Sequence, residues 1–120
     1  MFARFIDGGF DYDEISKHPD YPAYASAELL IILLPKIIEE MLRRRDTVNY
    51  LIYPMISAID PQASKQDIYR NRANAIIELA DKSFSQSICR FLEAISEDPP
   101  NSSEQVQRLL TLWQAKSEVE

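Results

Sequence analysis

Two glycines occur in the 120-residue chain, and they are neighbours, Gly8 and Gly9. Every residue from Phe10 to Glu120 therefore carries a Cβ, and the left-handed backbone region that glycine enters freely is costly throughout that stretch. Phosphate-cradling loops, dinucleotide-binding turns and primed two-residue hairpins all need glycine at fixed places, so none can be written here. What remains is a helical chain, and the sequence reads as all-α.

The length suits one domain with one shared core. With 46% hydrophobic and 27% charged residues, the chain falls in the globular class rather than the disordered one. Thirteen Lys plus Arg against nineteen Asp plus Glu leave a net charge of −6. That balance opposes binding to nucleic acid, which needs clustered cations, and suits a basic protein partner. Cys89 is the single cysteine, which excludes an internal disulfide and a cysteine-based metal cage and fits a reducing cytoplasm. The residues from Phe2 to Asp7 lack the apolar core of a secretory signal. The most apolar run, Leu29 to Leu34, is six residues long, far below the ~20 that span a bilayer. Neither a membrane anchor nor a cofactor is expected.

Residues 1–21 have no sustained period and read as an acidic and aromatic arm, with a short helical turn around Tyr12 to Lys17. Residues 22–120 read as the helical domain. Pro22 suits a first turn, and from Ala23 an apolar stripe through Leu30, Leu34, Ile38 and Met41 runs toward Arg45, with a kink or break expected near Leu33-Leu34 because Pro35 removes a backbone donor. Glu39 and Arg43 stand at the i,i+4 spacing of a stabilising ion pair. Asp46 or Thr47 can cap a second stripe, Val48 to Ile59, which carries an internal Pro54. Ser64 with Asp67, Ser83 with Gln86 and Ser102 with Gln105 have the spacing of capping boxes and open three more helices. The stretch after Lys116 is expected to fray. The sum is an irregular single-domain bundle of five or six helices with proline-kinked members. Its predicted core is Leu30, Leu34, Ile38, Ile52, Ile56, Ile77, Ile88, Phe91, Leu92 and Leu110.

An apolar helix interrupted at Leu34-Pro35, a second short helix, a charged stretch and then Phe84-Ser85-Gln86-Ser87-Ile88-Cys89-Arg90-Phe91-Leu92 follow one another in an order similar to that of a family of small uncharacterised bacterial proteins, a domain of unknown function. The resemblance covers Tyr24 to Ile95 and departs after Ser85, where the family pattern has a proline. It implies an all-helical domain and no assigned activity.

Four constellations bear on function. Asp7, Asp11, Asp13, Glu14, His18 and Asp20 form the densest polar cluster, and of these Asp11, Asp13, Glu14 and His18 offer ligands for a cation or groups for acid–base work, although neither Asp7 nor Asp11 starts a run with the glycine and glutamate of an EF-hand. Arg43 and Arg44, with Arg45, suit phosphate or an acidic partner, or simply the C-terminus of their helix. Tyr50 and Tyr53 stand off the apolar stripe of their helix and mark a contact surface for a partner or a second copy. Cys89 lies one step off its stripe, with Arg90 about 100° round the helix, and the general habit of free cysteines is burial rather than reactivity. The leading expectation is a cytoplasmic, non-catalytic protein-binding module of an immunity-like, inhibitory or adaptor kind, with Tyr50, Tyr53, Arg43 and Arg44 as contact residues. The alternatives are a metal-dependent or acid–base enzyme built on Asp11, Asp13, Glu14 and His18, and a structural homodimer.

Overall fold

The computed structural model describes residues 12–15, 17, 25–46, 51–63, 65–97 and 103–119. They form six helices: α1 (Tyr12–Ile15), α2 (Ala27–Arg44), α3 (Ile52–Ile59), α4 (Asp67–Leu79), α5 (Lys82–Ser96) and α6 (Glu104–Val119), with no strand among the described residues. The chain is all-α, as expected from its sequence.

The Ser26 hydroxyl accepts a bond from the Leu29 amide at 3.2 Å and caps α2. The helix thus begins at Ala27, later than the expected Ala23. It runs through Pro35 as one helix, so of the kink or break expected near Leu33-Leu34 the break does not occur. Leu33, Leu34, Ile37 and Ile38 are all buried around the proline, and this apolar packing outweighs the lost backbone bond. Without glycine, α2 stops by forcing Arg45 into the left-handed region at φ 56°, the one positive φ of a non-glycine residue among those described. The Arg45 amide then reaches Leu42 O at 3.2 Å and the Asp46 amide reaches Met41 O at 2.9 Å. Those two bonds are the paired closure of a Schellman turn.

Helix α3 starts at Ile52, so Pro54 lies in its first turn, where a missing N–H loses no intrahelical bond. The expected internal proline is therefore an initial one. Gln66 precedes α4 without a side-chain cap, and Ser64 lies outside the described residues. Asp81, not Ser83, caps α5, its carboxylate accepting from the Phe84 amide at 2.7 Å. Ser103 caps α6 through the Val106 amide at 3.3 Å, while the expected Ser102 lies outside the described residues. Helix α6 continues past Lys116 to Val119 rather than fraying there.

Helix α2 packs on both α4 and α5, α3 packs on α4, and α6 packs on α5. Eight of the ten predicted core residues are buried, whereas Ile77 and Leu110 are half-buried at the edge. In their place Leu33, Ile37, Met41, Leu51, Leu109 and Trp113 are fully buried. Trp113 sets its ring 5.9 Å from that of Phe84 at 56° and donates from Nε1 to Ile59 O at 3.4 Å. One residue further, Asp60 holds a fully buried carboxylate that accepts from Arg108 at 2.7 and 3.1 Å, from Gln105 at 2.9 Å and from the Gln62 amide at 2.9 Å. Trp113, Arg108 and Gln105 together fasten α6 to the end of α3.

Candidate functional site

Arg43 and Arg44 close α2 and turn back on their own helix. Arg43 holds Glu40 through two bonds, at 3.2 and 2.6 Å, and Arg44 takes the same carboxylate at 3.2 Å. Glu40 is held below the usual carboxylate range chiefly by Arg43. The expected Glu39–Arg43 ion pair is thus replaced by Glu40–Arg43, one residue closer in sequence. Arg44 also pairs with Asp13 and lays its guanidinium 4.9 Å from the centre of the Tyr12 ring. Tyr12 is 4% exposed and belongs to the core, although the segment around it reads as an arm. Both arginines are consequently engaged within the chain, and Arg44 serves to dock α1.

Tyr53 is 73% exposed and Ile68 72%, against 50% for Leu79 and 43% for Ile32. Tyr53 and Ile68 occupy equivalent places, each the second residue of its helix, on α3 and α4, which pack together. A groove of about 430 Å³ opens beside Ile68, floored by Ala25 and Ala27 and walled by Tyr69 and Arg72. Arg72 is positioned by the Ala25 carbonyl at 3.0 Å and stacks at 5.6 Å over the Tyr69 ring. Burial lowers its guanidinium pKa from the ordinary value. Tyr50, the second tyrosine expected at this surface, lies outside the described residues.

Of the acidic cluster, Asp11 and His18 lie outside the described residues, Asp13 pairs with Arg44, and the Glu14 carbonyl accepts from the Lys17 amide at 3.2 Å. Among the described residues no three His, Cys, Asp or Glu side chains converge to hold a metal ion. Cys89 is buried, and that burial pushes its thiol up, with Glu93 adding to the effect and Ser117 opposing it. A thiol in that setting is a poor nucleophile. Among the described residues no helix is long and apolar enough to cross a membrane.

Sequence reasoning missed Ile68, Asp60 and Tyr12. Ile68 is one apolar residue in the polar first turn of α4, a position its stripe does not predict. Asp60 reads locally as a helix terminator before Pro61, and nothing nearby announces Arg108. Comparison with known proteins gives no match among family models, curated sequences or solved structures.

Proposed function

We propose that the chain is a protein-binding module without catalysis of its own, of the inhibitory or immunity-like kind, which covers a basic partner. The observation that carries this reading is the exposure of Tyr53 and Ile68 at the heads of two packed helices. Large apolar side chains left in water at neighbouring elements are the usual anchors of an interface, tyrosine above all. The net charge of −6 supports the choice of partner, since an acidic surface steers a basic one toward it. Arg43 and Arg44, being neutralised by Glu40 and Asp13, drop from the contact set, and Ile68 enters it.

Affinity capture from native lysate at low and high salt, with the wild type and with Y53S/I68S, tests the reading. A basic protein should be retained at low salt, released at high salt and lost with the double variant. Retention of nothing at any salt, or of the same protein by Y53S/I68S, would overturn it. Light scattering separates the homodimer reading: a monomer is expected, and a dimer that Y53S dissolves would assign the same surface to a second copy.

A further inference from the structure

Helices α2 and α5 pack along a seam that opens into a second cavity of about 560 Å³, well within the size range of small-molecule sites. Its two walls differ in chemistry. From α2 come Pro35, Ile38 and Leu42, an apolar strip, and beside them the Glu39 carboxylate. From α5 come Ser83, Ser87 and Arg90, at i, i+4 and i+7, so that one whole stripe of the helix facing the cavity is polar. The buried face of α5 is its apolar stripe, and the exposed Ser83 and Arg90 stand beside it, so the cavity opens to solvent along the edge of the seam.

The charges lining it are not spent on each other. Arg43 and Arg44 take Glu40, which leaves Glu39 with no ion-pair partner among the described residues and only a more distant effect on Arg43. Arg90 likewise makes no ion pair there; its guanidinium turns back one helical turn toward the Ser87 hydroxyl at 3.4 Å. Ser87 itself is 9% exposed, and Ile38, which lines the cavity from α2, is 2% exposed. The cavity thus presents a cation with two hydroxyls on one wall, an anion on the other, and an aliphatic strip between.

We propose that the α2–α5 seam is a binding site for a small aliphatic zwitterion of the α-amino-acid class. Its carboxylate meets Arg90 and the hydroxyls of Ser83 and Ser87, its ammonium meets Glu39, and its side chain lies on Ile38 and Leu42. Guanidinium and carboxylate make the strong, charge-assisted kind of hydrogen bond, and the two opposed charges give the ligand one orientation. This site is separate from the Tyr53–Ile68 surface, and its occupancy does not depend on a protein partner.

The test is titration of the isotopically labelled full chain with L-leucine, followed by amide NMR. Saturable shifts at Glu39, Ser87 and Arg90 are expected, with Kd in the millimolar range or below. R90Q and E39Q, both at exposed side chains and checked for an unchanged melting curve, should each weaken binding by about tenfold or more, as should replacing leucine by 4-methylpentanoate or by isopentylamine, which carry one charge each. No saturable shift at ~20 mM leucine would overturn the proposal. So would binding that both variants leave unchanged, or equal binding of the carboxylate without the amine.

Discussion

The Tyr12 hydroxyl donates to Asp46 Oδ2 at 2.8 Å, tying the short helix α1 to the residue that completes the turn closing α2. Asp46 therefore acts twice, its amide satisfying Met41 O and its carboxylate receiving the phenol. Burial raises the Tyr12 pKa well above that of a free phenol, and the Asp46 hydrogen bond and charge raise it further.

Removal of that hydroxyl in Y12F should cost about 1 kcal/mol in urea unfolding, and Y12A, which also empties a core position, about 3–5 kcal/mol. The pH dependence has a definite sign. Because the folded-state pKa is raised, the Tyr12 contribution is whole below about pH 10, the value of an unfolded phenol, and declines as pH rises above it. Wild type should lose stability faster than Y12F over that alkaline range, and phenolate absorbance should show one tyrosine ionising only as the chain unfolds.

The buried Asp60 carboxylate predicts the acid limb. Burial by itself raises its pKa, but the bonds from Arg108, Gln105 and the Gln62 amide outweigh it and hold the carboxyl below its ordinary value. A depressed folded pKa gives stability that is present above the unfolded value of about 3.9 and is lost as pH falls through the folded one. D60A should destabilise by about 2–4 kcal/mol at neutral pH, and its denaturation midpoint should change less than that of wild type between neutrality and low pH. R108A should weaken the fold at least as much, by about 3–5 kcal/mol, because it leaves the fully buried Asp60 carboxylate without its cation.

Arg45 holds a conformation that glycine would hold without steric cost. R45G should raise stability by roughly 0.5–1 kcal/mol despite the looser unfolded chain, and R45V should lower it by ~1 kcal/mol or more, read from urea midpoints. Equal stability of the three chains would contradict the left-handed assignment.

The Cys89 thiol should react with a thiol-specific reagent far more slowly in the native protein than in urea, because it is both buried and biased toward the protonated form. Native and unfolded rates within a factor of about two of each other would show that α5 and α6 separate readily around it.

What could be read in the sequence was whatever depends on near neighbours. The stripe Phe84, Ile88, Phe91, Leu92 and Ile95 announced α5, and all five are buried. Boundaries were less legible, because several side chains compete to cap one helix: Asp81 prevails over Ser83, and Ser26 displaces the start from Ala23. At Pro35 local sterics allow either a kink or a break, and the burial of Leu33, Leu34, Ile37 and Ile38 keeps the helix continuous. Ion pairing has the same limit in another form. Arg43 and Arg44 read as available cations, and only the fold reveals that Glu40 and Asp13 already occupy them. Glu39, assigned to Arg43 by spacing, is released toward the α2–α5 seam by a shift of one residue.

The fastening of α3 by α6 also sets an order of events for a growing chain. Asp60 and the Ile59 carbonyl find their partners 45 to 54 residues later, at Gln105, Arg108 and Trp113. Until that distant stretch has left the ribosome, the Asp60 carboxylate must stay hydrated and the surface meant for Trp113 stays wet. The end of α3 cannot take its buried form until α6 is there to cover it.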